Sequence, residues 1–184
     1  MSERKRQLEA LALSRLTQAP VIRVLDLLNR DGEEARIVGG AVRNALLGLP
    51  PGDIDIATTL LPDAVMRRAA DAGLHAMPTG IEHGTVTLVV DEHPFEVTTL
   101  REDVETYGRK AKVAFGRSWE HDAARRDFTI NAFSLGANGA VYDYVGGFDD
   151  LAARRIRFIG DAQARIAEDY LRILRFFRFH ATYG

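Results

Sequence analysis

The 184-residue sequence has no cysteine, a single tryptophan and almost no net charge, −2 from 24 basic and 26 acidic side chains. Without cysteine, neither a disulfide framework nor a thiolate zinc centre can form. No apolar run approaches the roughly 20 residues needed to span a bilayer. The opening stretch MSERKRQLEALALSRL is charged and then amphipathic, without the continuous apolar segment of a secretory signal. A near-neutral balance argues against a strongly basic nucleic-acid surface. These absences lead to the expectation of a soluble, cytoplasmic protein with no membrane partner. Its globular composition, 46% hydrophobic and 27% charged, suits one domain or one domain and the start of another.

The charge that is present is unevenly placed. From Leu151 to Gly184 there are seven arginines, no lysine and three acids. Arginine suits planar, bidentate recognition of phosphates or bases, and a solvated helical face is the plainer alternative. Periodicity predicts two short helices in 4–30 divided at Pro20, a strand at ARIV and a helix at AVRNALLG. It continues with an amphipathic helix ending at Gly73, a hairpin through GTVTLVVDEHPFEVTTL and a polar, mobile loop from Arg101 to Gly116. A helix capped by Ser118, a strand at GAVYDYV and one long helix from Asp161 to the last residues complete the series. Strands mixed with helices make an α+β domain. On the last helix Ile166, Tyr170, Ile173, Leu174, Phe177 and Phe179 form more apolar surface than a small sheet would cover. That surface suits a helical body or self-association.

Within GLPPGDIDIATT, Asp53 and Asp55 alternate with isoleucines, so an extended chain would set both carboxylates on one face. Paired carboxylates repel unless a cation lies between them; a divalent metal would resolve the conflict, and an edge strand with a solvated face is the alternative. Upstream, in VGGAVRNALLG, whose Arg43 precedes Asp53 by ten residues, Gly39 and Gly40 let backbone approach a ligand, and the following helix aims free N–H groups at it. A triphosphate there, beside two metal-binding carboxylates, would constitute a nucleotidyl-transfer site.

In GGAVRNALLG, DIDIAT, HGTVTLVV, FEVTTLR, RRDFTINA, RIRFIGD and EDYLRILRFFRF, all in order between Arg36 and His180, the sequence resembles the class II tRNA nucleotidyltransferases (CCA-adding enzymes) and bacterial poly(A) polymerases. The resemblance implies a nucleotidyltransferase head of the DNA polymerase β superfamily, with a small mixed five-stranded sheet and flanking helices, followed by the first helix of an all-helical neck. The corresponding boundaries are an N-terminal helical segment over 1–34, the head over 35–160 and a truncated neck over 161–184. It implies that Asp53 and Asp55 are catalytic and hold two Mg²⁺ ions, with Glu96 a candidate third carboxylate beside a structural role. Gly40 and Arg43 match nucleotide-contacting positions, and Arg126 and Asp127 match residues that hold the nucleotide, Asp127 being suited to accept from a ribose hydroxyl.

Asp169 and Arg172 match the amino-acid template for the incoming base, and Arg175 and Arg178 continue the stripe. Cytosine and adenine both present an exocyclic amine beside a ring-nitrogen acceptor, so a carboxylate and a guanidinium together would admit CTP and ATP and oppose UTP and GTP. The implied activity is template-independent addition of C and A to tRNA 3′ ends with release of pyrophosphate. Poly(A) addition, CC-only or A-only addition and a non-catalytic RNA- or nucleotide-binding module are the alternatives. Family loops resembling 101–116 are implicated in switching from C to A. Asn44 departs from the aspartate of many relatives, His83 suits a turn, and Trp119 suits packing or stacking on RNA.

Overall fold

The computed structural model describes residues 4–107 and 110–184, the side chains of 103–113 excepted. The elements in chain order are β1 (Arg4–Gln7), α1 (Ala10–Leu16), α2 (Ala19–Leu28), β2 (Ala35–Val38), α3 (Gly40–Leu46), β3 (Asp55–Thr58), α4 (Pro62–Asp71) and β4 (His75–Gly80). They continue with β5 (Thr85–Val90), β6 (His93–Thr99), β7 (Arg101–Tyr107), β8 (Lys110–Phe115), α5 (Trp119–Ala124), β9 (Ser134–Leu135), β10 (Ala140–Asp143), α6 (Gly147–Ala152), α7 (Ala162–Glu168) and α8 (Leu171–Tyr183).

The α+β class holds, but the sheet is larger than five strands. Eight strands pair in the order β1-β10-β9-β2-β3-β6-β5-β4, and β7 and β8 form a separate two-stranded sheet. Only β3 and β6 run parallel; every other named pair is antiparallel. Residues 4–7, expected within a helix, instead form the edge strand β1, all four of them exposed, against β10. The stretch expected as a mobile loop supplies β7 and β8, with Arg101 opposite Phe115; residues 108 and 109 lie outside the described residues.

Local chemistry accounts for the elements that position the site. Pro20 and Pro62 stand in the first turns of α2 and α4, where a missing N–H is no loss. The β5–β6 hairpin turns through Asp91 and Glu92, both with positive φ, as a tight two-residue turn requires. Ser118 accepts from the His121 amide and Asp161 from that of Ala164, capping α5 and α7. Helices α1 to α4 and the inward side chains Ile37, Ile56, Val86, Leu88 and Val97 share one apolar core with Leu16, Leu28, Val65 and Phe148. A second cluster, Phe128, Ile130, Ile156 and Phe179, fastens α8 to the body.

The expected single C-terminal helix is broken. Asp169 ends α7 in an extended conformation (φ −155°, ψ 107°), and its Oδ1 accepts from the Leu171 amide at 3.0 Å to start α8. Phe179, expected on the uncovered face, is buried against the Phe128 ring, with centroids 5.5 Å apart. Tyr170, Leu171, Leu174 and Phe177 stay exposed. No described helix is long and apolar enough to cross a membrane.

Candidate active site

On β3, Ile56 points into the core, so Asp55 emerges on the opposite face. The parallel register sets Ile56 beside Val97, which brings Glu96 alongside Asp55 on that same open face. Asp53 lies two residues before the strand, exposed, at the bend that follows Gly52. The alternation that was expected to align it with Asp55 therefore does not operate there. The two remain electrostatic neighbours. Burial first, then Glu96 and more weakly Asp53, raise the Asp55 carboxyl above the ordinary carboxylate range, while Arg126 opposes them.

Two cavities meet at Asp55. The larger, about 670 Å³, is walled by Gly39, Gly40 and Arg43 from one side, Asp55, Arg126, Asp127 and Asn131 below, and Asp169, Arg172, Arg175, Arg178, Phe179, Thr182 and Tyr183 from the C-terminal segment. The smaller, about 290 Å³, is lined by Asp55, Glu96, Thr85, Thr98, Arg101, Asp122, Arg125 and Arg126 together with core-side backbone neighbours. All the nucleotide-binding candidates read from the sequence thus converge on one cavity. Glu96 joins Asp55 at the second, and Asp53 is part of neither wall among the described residues.

The Gly-Gly turn has a clear physical reason. Gly39 sits at φ 73°, ψ −130°, a conformation closed to L side chains, and its amide donates to the Phe133 carbonyl at 3.0 Å. A Cβ there would stand 3.5 Å from Nη1 of Arg126. Helix α3 begins at once, with Gly39 and Gly40 at its N-terminal end in the cavity wall.

Arg43 is only 5% exposed, and burial lowers its pKa without threatening its charge. Its Nε and Nη2 donate to Asn44 Oδ1 (3.2 and 2.9 Å), Nη2 donates to the Tyr183 hydroxyl (2.7 Å), and Nη1 donates to Asn131 Oδ1. Of five guanidinium donors, four are committed, so Arg43 chiefly ties α3 to α8 and turns at most one donor toward a ligand. The network continues through Asn131 Nδ2, which donates to Asp127 Oδ1 (3.2 Å). Asp127 Oδ2 in turn accepts from Arg175 Nε (2.7 Å). Asp127 therefore anchors Arg175 in this state, in addition to lining the cavity.

The Arg172 amide donates to the Asp169 carbonyl at 3.1 Å, but their side chains do not pair with each other among the described residues. Arg172 Nη1 donates to Glu168 Oε2 at 2.6 Å and to the Arg165 carbonyl at 2.7 Å. Asp169 uses Oδ1 for its own backbone turn. Because α7 ends between Glu168 and Asp169, the expectation that a spacing of three places Asp169 and Arg172 on one helical face is corrected: the carboxylate belongs to the joint and the guanidinium to the first turn of α8. Both still line the cavity, with Asp169 Oδ2 and Arg172 Nη2 outside these bonds. Trp119 packs, with the Arg36 guanidinium 4.1 Å from its ring and Nε1 donating to Glu34.

Sequence reasoning missed Asn131, Phe179 and Tyr183 as site residues. Phe179 lies beneath the guanidinium groups of Arg43, Arg175 and Arg178, 5.3, 5.3 and 5.0 Å from its centroid. The signal was present, since Arg175, Phe179 and Tyr183 recur every four residues on one helical face.

The donor set Asp53, Asp55 and Glu96 is all carboxylate oxygen, the hard chemistry that suits Mg²⁺. Burial does most to lift the Asp55 carboxyl, and the repulsion from Glu96 and Asp53 that adds to it is what a divalent cation would relieve. Among the described residues no three His, Cys, Asp or Glu side chains enclose a metal by themselves. An ion here would complete its shell with phosphate oxygens and water, as Mg²⁺ commonly does.

A mixed sheet carrying carboxylates on neighbouring strands, faced by a Gly-Gly turn and a rank of arginines, defines a nucleotidyltransferase head. The chain belongs to the poly A polymerase head domain family, whose model matches residues 35–157. It is 45% identical over 175 residues to CCA tRNA nucleotidyltransferase 1, mitochondrial, of Danio rerio, covering 95% of this chain and 41% of that protein. It is similar to the crystal structure of the Bacillus stearothermophilus CCA-adding enzyme in complex with CTP (39% identity, TM-score 0.78, 89% of this chain, 39% of that one). A tRNA nucleotidyltransferase complexed with a primer tRNA and an incoming ATP analog is a further match (32% identity, TM-score 0.67, 85% and 44%). The chain spans about two fifths of the length of these relatives.

Proposed function

We propose that this chain is the catalytic head and first neck segment of an enzyme that adds C and A to tRNA 3′ ends, using CTP and ATP and releasing pyrophosphate. The observation that carries the reading is the convergence of Gly39, Gly40, Asp55, Arg126, Asp169, Arg172, Arg175 and Arg178 on one cavity. In this reading residues 35–160 form the head, 161–184 open the neck, 1–34 precede them, and the location is cytoplasmic.

The triphosphate lies against the α3 amides and Arg126, with Arg175 and Arg178 neutralising its remaining charge. The attacking 3′-hydroxyl reaches the reacting phosphorus from the side of Asp55 and Glu96. Asp53, Asp55 and Glu96 would hold the two Mg²⁺ ions, which when bound activate the hydroxyl and neutralise the departing pyrophosphate. Asp169 accepts from the exocyclic amine of cytosine or adenine, and Arg172 donates to the adjacent ring nitrogen. The similarity to a CCA tRNA nucleotidyltransferase and a CCA-adding enzyme favours this reading over poly(A) addition, which would use the same site. Supplying each labelled nucleotide separately to the whole protein with tRNA ending before CCA tests it. CTP alone is expected to add C, and ATP to add A only to the product already ending in CC; runs of A from ATP alone would establish the poly(A) reading, and incorporation of U or G would refute both.

A further inference from the structure

Asp122 belongs to no part of the mechanism above, yet it is a carboxylate only 3% exposed in the wall of the smaller cavity, beside Arg126, which lines both. Its Oδ2 accepts from Arg126 Nε (3.3 Å) and Nη2 (3.1 Å), and its Oδ1 from Arg125 Nε (2.9 Å) and Nη2 (2.5 Å). The Arg101 amide, at the start of β7, adds a third donor to Oδ1 at 3.3 Å. Consecutive arginines at the third and fourth positions after an aspartate both return to it on a helix. Here α5 ends at Ala124, so the two guanidinium groups leave the helix end in different directions. Arg126 reaches the larger cavity, where its Nη1 lies by Gly39; Arg125 lines only the smaller one.

We propose that Asp122 is a positioning residue for nucleotidyl transfer: one buried carboxylate fixes Arg126 against the nucleotide's phosphates and Arg125 at the second cavity, across Asp55. A long, flexible side chain contributes to binding only if its ordering cost is met beforehand, and a bidentate carboxylate does this for both arginines. The bond from Arg101 also ties the base of the β7–β8 hairpin to the same carboxylate, so a shift of that hairpin reaches both arginines. This inference rests on the nucleotidyltransferase reading.

The test uses the whole protein, with calorimetric CTP binding and ¹⁵N spectra of the arginine side chains. Asp122→Asn is expected to weaken CTP binding about tenfold, the scale of one charged hydrogen bond. In an Arg126→Ala background the same change should add less than about twofold, because the residue it positions is gone. Full additivity would overturn the proposal in favour of a merely structural carboxylate. In the unliganded protein the Nε–H signals of Arg125 and Arg126 should be slowly exchanging, and Asp122→Asn should accelerate both; unchanged signals would overturn it. Asp122→Glu keeps the charge but moves it by a methylene, so it carries the test if the Asn variant fails to fold. It should also weaken binding, and wild-type binding by it would refute a geometric role. Failure of the unaltered protein to bind CTP would remove the nucleotide reading, while the arginine signals would still decide the brace.

Discussion

Replacing Asp150 by alanine probes how the segment carrying Arg155 and Arg157 is fastened beneath the site. The Asp150 side chain is fully buried. It accepts from the Thr129 hydroxyl (2.6 Å), Arg155 Nε (2.6 Å) and Arg157 Nε (2.8 Å). Three charge-assisted bonds at about 1.5–3 kcal/mol each would suggest a very large loss. The arginines are 58% and 49% exposed, however, so their guanidinium groups return to water and count as surface pairs of about 0–1 kcal/mol each. Thr129, by contrast, is buried, and an orphaned hydroxyl costs about 1–3 kcal/mol. The expected destabilisation is about 2–4 kcal/mol, or roughly 4–16 °C in Tm for a domain of this size, measured by urea and thermal unfolding. Burial pushes the Asp150 carboxyl up, but Thr129, Arg155 and Arg157 outweigh it and hold the pKa below the ordinary value. Its contribution is therefore complete above the unfolded-state pKa of about 3.9 and is lost as pH falls through the folded value. The gap between wild type and variant should be constant above about pH 5 and narrow below pH 4. A loss under about 1 kcal/mol, or a gap that widens in acid, would refute the reasoning.

Gly39→Ala should destabilise by about 1–3 kcal/mol from backbone strain alone and weaken CTP binding; unchanged stability would mean that the turn tolerates a side chain. Phe179→Ala should cost about 3–5 kcal/mol and also reduce nucleotide affinity, because the ring supports three arginines; calorimetry showing normal affinity in the folded variant would separate the two roles. Arg172→Ala should lower the ratio of CTP to UTP incorporation by about one to two orders of magnitude, the value of one bidentate base contact, whereas a uniform fall in rate would make Arg172 merely a partner of Glu168.

Elements with a local signal were legible: the Pro62 helix, the Asp91–Glu92 hairpin, and the Ser118 and Asp161 caps. What escaped depends on distant pairing. RKRQ has no strand pattern and becomes β1 only by lying along β10. HAMPTG contains Pro78, which only an edge position such as β4 accommodates. The break at Asp169 was masked by an apolar period that runs through it; Asp169 wins by offering its own oxygen to the backbone. In the site, the arginines and glycines were readable one by one. The supports were harder: Asn131 and Asp127 link Arg43 to Arg175 across loops that no spacing relates.

The account turns on Asp55, where the two cavities meet, and on its neighbour Asp53. The decisive measurement is CMP incorporation into tRNA lacking its CCA end by Asp53→Ala and Asp55→Ala forms of the whole protein, with circular dichroism to verify folding. Both variants are expected to keep the wild-type spectrum and lose transfer, Asp55→Ala because Asp55 is common to both cavities, Asp53→Ala because the proposed metal site needs its charge beside Asp55. Near-normal incorporation by either folded variant would contradict the account.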